Sequence, residues 1–208
     1  MNIIYDLDAT LIETPKEFIH DVMNKCITEI GDKEITMKKA LDWWFDNDKK
    51  KSIHNICSDA EKFWELIDIY DSAQERMKVA RCYGDILMLE YLEEKGHRFG
   101  IVTSSPPDIA LEEIKLLPID ISNVVLPSKD LKSKPAPDGI LKCMKEMDAL
   151  SENTMYVGNG IEDVLAAKNA RVVDVLIKRP ECPPVNVEPS YSIDNLYQLR
   201  EVIRNVSS

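Results

Sequence analysis

The chain has 208 residues, of which 44% are hydrophobic and 30% charged, the composition of a globular protein that can bury a large core as one domain or as a domain with an insertion. Its formal net charge of -11 argues against a general binder of nucleic acid or anionic membrane, since both need basic surface. The cysteines Cys26, Cys57, Cys82, Cys143 and Cys182 are odd in number and lack CxxC spacing, which predicts a reduced, cytoplasmic setting; no secretory signal is expected, nor any apolar run near the roughly 20 residues that span a bilayer.

The first element, in "NIIYDLDATLIET", is a short apolar strand, Ile3-Ile4-Tyr5, that runs into Asp6 and Asp8. Residues i and i+2 of a strand face the same way, so both carboxylates leave its end toward one volume, where like charges demand a cation or a shared proton. An amphipathic helix follows in "TPKEFIHDVMNKCITEIG", entered through Thr-Pro and closed at Gly31. "TMKKALDWWFDND" and "SDAEKFWELIDIYDSA" repeat the pattern, and no strand is predicted between Pro15 and Tyr83.

From Gly84 helix and strand alternate. "DILMLEYLEEKG" is a helix ending at Gly96, "RFGIVTSS" a strand, "DIALEEIKLL" a helix, "SNVVLPS" a strand and "APDGILKCMKEM" a helix. "TMYVGNG" is a strand, "IEDVLAAKNA" a helix, "VDVLIKR" the last strand, and "SIDNLYQLREVIRNV" a terminal helix. The predicted fold is α/β: a Rossmann-like parallel sheet with helices on both faces, and an all-helical cap inserted after the first strand. Residues 1–14 and 85–208 form the core domain in this reading, and 15–84 the cap.

Ligands of open parallel sheets bind beyond the carboxyl ends of the strands. The polar residues expected there are Asp6 and Asp8, then Thr103, Ser104 and Ser105, then Asn159 and Asp163, joined by Lys134 of "KSKPAPD". Hard oxygen donors suit Mg²⁺, a carboxylate can attack phosphorus, and a metal, a lysine and oriented amides supply the charge neutralisation that phosphoryl transfer requires. Asp8 is placed to protonate a leaving oxygen and to accept a proton from water.

This set resembles the haloacid dehalogenase-like superfamily, specifically its phosphatases with a helical cap after the first strand. The resemblance rests on four motifs in order: Asp6-Leu7-Asp8-Ala9-Thr10, the "GIVT" strand ending at Thr103, Lys134-Pro135, and Gly158 to Asp163. It implies Asp6 as nucleophile and metal ligand, and Asp8 as general acid and base with its carbonyl on the metal. Thr103 and the Ser104 amide would bind phosphate, Lys134 would balance charge between phosphate and nucleophile, and Asp163 would support Mg²⁺. The implied activity is Mg²⁺-dependent hydrolysis of a small phosphorylated metabolite, in the manner of a phosphoglycolate phosphatase, through an aspartyl phosphate. A cap moving as a body over the site is part of the same expectation.

Two positions depart from the family pattern. Ala9 stands where glycine is usual, so a positive φ there would be strained. Asn159 replaces the first acid of the fourth motif; an amide oxygen can still ligate Mg²⁺, but with one charge fewer. Rival readings are a phosphomutase, which would need a bisphosphate activator, and a phosphate-binding regulatory protein, for which Asn159 is the argument. "GNGIED" lacks the third glycine of a dinucleotide-binding turn, and the acid on the first strand disfavours a receiver domain. His20, His54 and His97 are dispersed and read as structural, Trp43 and Trp44 as cap packing, and Lys49 to Lys51 as a solvated helix end. Monomer and homodimer are both compatible with the sequence.

Overall fold

The computed structural model describes residues 1–46 and 48–206. The chain divides into two compact units, one built from Met1–Glu13, Arg81–Pro180 and the chain from Val185 onward, the other from Thr14–Ala80 and Glu181–Pro184.

The first unit holds the strands β1 (Asn2–Tyr5), β2 (Ile12–Glu13), β3 (Arg81–Cys82), β4 (Arg98–Val102), β5 (Asn123–Val125), β6 (Thr154–Gly158), β7 (Val173–Ile177) and β8 (Tyr191–Ile193). Six of them form one sheet in the order β5-β4-β1-β6-β7-β8, with every neighbouring pair parallel. β1 is central and buried along its whole length, in register with β4 and β6 so that Tyr5 stands between Ile101 and Val157. Strands covered on both faces must be apolar throughout, which is why "NIIY" carries no alternation.

The connections run from β1 to β4 to β5 in one direction, then return past β1 to β6 and β7 in the other. With right-handed crossovers this reversal sends helices Asp138–Glu146 and Ile161–Ala170 to one face, and Met88–Glu94 and Pro107–Ile114 to the opposite one. On the first face Ile4, Val102, Val125, Tyr156, Ile140, Cys143, Ala166 and Ala167 pack into one cluster. Strand alternation turns Ile3 and Tyr5 the other way, where the Tyr5 ring lies 6.1 Å from that of Phe99.

Two segments differ from the sequence expectation. β2 and β3 form a two-residue antiparallel ribbon, Ile12 opposite Cys82 and Glu13 opposite Arg81, and β3 lies inside the span predicted to lack strands. A pair this short has no periodicity to read; its register is fixed by the partner strand and by the Glu13–Arg81 ion pair, 2.9 Å. The predicted terminal helix starts late. Ser192 and Ile193 belong to β8, a short 3₁₀ turn follows at Leu196–Gln198, and the helix itself spans Leu199–Val206. The Asp174 carboxylate accepts from both the Ser190 amide, 2.6 Å, and the Ser190 hydroxyl, 2.7 Å, and so pins this segment to the edge of β7, where the open ladder takes it up as a strand.

The second unit is helical, with main helices Lys16–Ile30, Met37–Trp44 and Ala60–Tyr70 and shorter ones at Lys49–Ser52 and Ala73–Arg76. Its core gathers Ile19, Met23, Cys26, Trp43, Phe63 and Ile67. Thr36 and Asp59 cap the second and third main helices by accepting from Lys39 N and Lys62 N. Gly31, at φ 104°, ends the first in the left-handed conformation glycine tolerates. His20 contacts the Ile35 carbonyl, and Lys49 lies over the rings of Trp43 and Trp44. Arg76, 2.6 Å from Asp71, also donates to the Thr14 hydroxyl, tying the two ends of this unit together. Among the described residues no helix is long and apolar enough to cross a membrane.

Gly100 on β4 lets the sheet approach helix Asp138–Glu146 closely. A Cβ there would lie 2.3 Å from Cys143 Sγ and 3.0 Å from Met147 Sδ. Gly100→Ala is therefore expected to cost about 1–3 kcal/mol by overpacking. Urea unfolding should show a lower midpoint at unchanged slope; an unchanged midpoint would mean that helix Asp138–Glu146 yields freely.

Candidate active site

The chain leaves β1 toward β4 and leaves β6 toward β7, so the carboxyl ends of these neighbouring strands open a crevice at the topological switch point. Asp6 is the first residue past β1, its amide donating to Val157 O at 2.8 Å. Thr103 is the first past β4, Asn159 the first past β6, and Lys134 arrives on the loop after β5. All the sequence-predicted site residues belong to the α/β unit.

At the centre Lys134 Nζ lies 2.7 Å from Asp6 Oδ1 and 2.6 Å from Asp163 Oδ1. A third contact, 3.3 Å, goes to the hydroxyl of Tyr156, which also lies 3.0 Å from the Val102 carbonyl and 3.1 Å from Asp163 Oδ1. An ammonium has three N–H donors, and here each meets an oxygen. Asp6, Lys134 and Asp163 are all buried, with side chains at most 8% exposed. Burial pushes the Asp6 carboxyl up to about 7 against the pull of Lys134. Burial would lower Lys134, but the carboxylates of Asp163 and Asp6 outweigh it and hold the ammonium well above the usual lysine value.

Asp163 has a second task. It stands in the first turn of helix Ile161–Ala170, and its Oδ2 accepts from the Gly160 amide at 2.9 Å, satisfying one of the helix's open donors. Gly158 makes room for it: a Cβ at 158 would lie 2.4 Å from Asp163 Cγ. Glu162 folds back toward Gly160, where a Cβ would meet its Oε1 at 2.5 Å.

The loop after Asp6 turns back on itself. Leu11 and Ile12 donate to Leu7 O, Ala9 N donates to Ile12 O at 2.7 Å, and Ala9 takes φ 53°. The left-handed conformation expected at the position of the family's glycine is therefore present, on a residue with a Cβ. The turn buries Thr10 completely, and its hydroxyl reaches Asp6 Oδ2 at 3.2 Å and Asn159 Oδ1 at 3.3 Å. Asp8 is only half-buried, and its carboxylate accepts from the Ser105 hydroxyl. Ser105 N donates to Thr103 Oγ1 at 3.0 Å, while Ser104 is exposed. A cavity of about 80 Å³ adjoins Thr103, Ser104 and Lys134 and is further lined by Ser128, Lys132 and Ser133.

Among the described residues no three His, Cys, Asp or Glu side chains gather as a metal-ligand set, because Lys134 stands between Asp6 and Asp163. The oxygens that remain in range of one another through Thr10 are those of Asp6 and Asn159. One carboxylate and one amide oxygen, completed by water and phosphate, are hard donors of the kind Mg²⁺ accepts, so the residues present fit that ion. Reading the sequence did not single out Tyr156, whose strand reads as apolar, nor give roles to Thr10 and Ser105.

A family profile described as haloacid dehalogenase-like hydrolase matches residues 3–177, and the chain belongs to that family as a hydrolase. It is 26% identical over 209 residues to the pyrophosphatase PpaX of Halalkalibacterium halodurans, an alignment covering 97% of this chain and 95% of that protein. Among solved structures it resembles a predicted phosphoglycolate phosphatase from Haemophilus somnus, with TM-score 0.79, 17% identity, and 97% and 96% of the two chains covered. A family IA hydrolase from Entamoeba histolytica gives TM-score 0.79 at 18% identity, with 100% and 99% covered. At these identities the two structures speak to the fold.

The strain at Ala9 yields a test. Relieving a left-handed non-glycine residue gains about 1–2 kcal/mol, and the added freedom of an unfolded glycine takes back about 0.4–1. Ala9→Gly is expected to raise stability by about 0.5–1 kcal/mol, seen as a higher denaturation midpoint; a lower midpoint would mean that the turn carries no strain.

Proposed function

We propose that the chain is a Mg²⁺-dependent phosphatase acting on a small phosphorylated metabolite through an aspartyl phosphate on Asp6. The observation that carries this reading is the buried Asp6 carboxylate at the switch point, gripped by Lys134 on one oxygen and by Thr10 on the other. Such a group is fixed in orientation, and its charge is compensated without being quenched.

Asp6 attacks phosphorus, and the bond from phosphorus to the leaving oxygen breaks as Asp8 delivers a proton to that oxygen. Asp8 then takes a proton from the water that attacks the acyl phosphate, returning Asp6 as a carboxylate. Ser105, bonded to Asp8, orients that carboxyl for both transfers. Thr103 and the Ser104 amide bind phosphoryl oxygens, and Lys134 offsets negative charge between them and Asp6. Asp6, the Asp8 carbonyl and Asn159 would hold the cation, and Asp163, paired with Lys134, would support its charge. When bound, Mg²⁺ neutralises phosphoryl oxygen charge and eases the approach of the anionic nucleophile. The helical unit is the cap of this reading.

The cavity beside Thr103 and Lys134 favours one second reading, hydrolysis of a diphosphate. Lys132, Ser128 and Ser133 line it, and a second phosphate next to the first would meet their charge and hydroxyls. Relative rates on inorganic pyrophosphate, phosphoglycolate and an aryl phosphate separate the two substrate classes.

Asp6→Asn is expected to abolish turnover, because an amide does not attack phosphorus; activity near that of the wild type would sink the covalent mechanism. Asn159→Asp should lower the Mg²⁺ concentration for half-maximal activity and for half-maximal thermal shift, since the site gains a negative donor. Unchanged titrations by both measures would place Asn159 outside the cation's reach. Asp6 must be ionised to attack, so kcat/KM without a bound product should rise with pH through an acidic limb set by that carboxyl, which lies near 7 before a cation draws it down. Higher Mg²⁺ should move the limb to lower pH; a limb that ignores Mg²⁺ would belong to another group.

A further inference from the structure

A second buried ion pair stands behind the site, and the chemistry above makes no use of it. Arg179, two residues past β7, directs Nη1 to Asp85 Oδ2 at 2.8 Å and Nη2 to Asp85 Oδ1 at 3.1 Å. The same Nη2 donates to the carbonyl of Thr10 at 2.6 Å. The guanidinium lies over Tyr83, its Cζ 3.7 Å from the ring centroid, and Asp85 Oδ2 also accepts from the Leu196 amide at 2.8 Å. Arg179 and Asp85 side chains are 5% and 7% exposed. Four distant segments of the α/β unit therefore meet at one planar group.

We propose that Arg179, oriented by Asp85, is a positioning residue that clamps the turn carrying Asp6, Asp8 and Thr10. Taking two charges out of water costs several kcal/mol per ion, and an apolar pair of the same volume commonly serves a core equally well. An apolar pair, however, cannot donate to a carbonyl. What the ion pair adds is a hydrogen bond from a charged donor to Thr10 O, within a turn that holds Ala9 in a conformation it disfavours. The carbonyl and the hydroxyl belong to one residue, so holding the first holds the backbone from which the second reaches Asp6 Oδ2 and Asn159 Oδ1. Arg179 thus sets the orientation of the attacking carboxylate without touching substrate. A lysine here would keep the charge but lack the fork that serves Asp85 and Thr10 together.

The test uses the full chain with two variants, Arg179→Lys and the double change Arg179→Met with Asp85→Asn, the asparagine keeping an acceptor for Leu196. Amide hydrogen exchange is followed by mass spectrometry in peptides covering 6–12, 138–146 and 161–170. Both variants should exchange about tenfold faster in 6–12 while the two helices keep wild-type protection. The kcat should fall about 10- to 100-fold with KM changed less than about threefold, as misplacement of a reacting group predicts. Wild-type exchange in 6–12, an unchanged kcat, or loss of protection throughout both variants would overturn the clamp, the last by showing that the pair serves the fold as a whole. The kinetic arm rests on the phosphatase reading: a wild-type protein without turnover overturns that reading, while the exchange arm still decides the clamp.

Discussion

The buried ammonium of Lys134 is the interaction on which the site depends. Asp6 and Asp163 come from segments far apart in the chain and stand within reach of a single cationic atom in a place that excludes most water. Without Lys134 the two carboxylates would repel in a medium of low polarity, and one would take up a proton. With it, each of three N–H groups finds an oxygen, and Tyr156 links the lysine to the backbone of β4 through Val102. The sheet order makes this possible: β1 lies between β4 and β6, so the residue after β1 faces the residues after both neighbours. Moving Asp6 one residue along the strand would turn its side chain to the opposite face, away from Lys134.

Much of this could be read before the fold was known, and the reason is periodicity. The central strands are continuous apolar runs because helices cover both faces, and helix Ile161–Ala170 has the bounds its sequence segment predicts. The convergence of Asp6, Thr103, Lys134, Asn159 and Asp163 also follows, because strand ends in a parallel sheet share one edge. What escaped notice depends on partners far away in the chain. The β2–β3 ribbon and β8 are too short to show a period, and β8 exists because Asp174 holds Ser190 beside β7. Tyr156 looks like one more apolar strand residue until its hydroxyl is found against Lys134. Arg179 and Thr10 are separated by 169 positions, and nothing local to either announces the other.

Ala9 shows how a local rule and a site can conflict without harm to the fold. A residue with a Cβ at φ 53° costs energy, yet the turn around it closes with several backbone hydrogen bonds and a charged donor on the next carbonyl. The surroundings determine the conformation more strongly than the residue resists it, the condition under which strain persists at functional sites. The result is a rigid presentation of two carboxylates from a turn of a few residues. Rigidity of this kind matters more for a nucleophile than for a ligand of water, since the reacting atoms must be held close and aligned.

Asn159 gives the charge balance of the pocket its particular form. Asp6 and Asp163 face one ammonium while Asp8 stands apart on the Ser105 hydroxyl; counted together, the three carboxylates and Lys134 leave two formal negative charges, which the proposed divalent cation would neutralise. An acid at 159 would leave the loaded pocket negative before a phosphate dianion entered it. In a chain of net charge -11, an anion already approaches against the field of the whole surface. On the proposed mechanism, neutral asparagine would lower that local barrier and loosen the hold on the cation by the same charge, so the affinities for metal and for phosphate would be set against each other at one position. The Thr10 hydroxyl, shared between Asn159 and Asp6, ties this balance to the geometry of the proposed nucleophile, because both neighbours bond the same side chain.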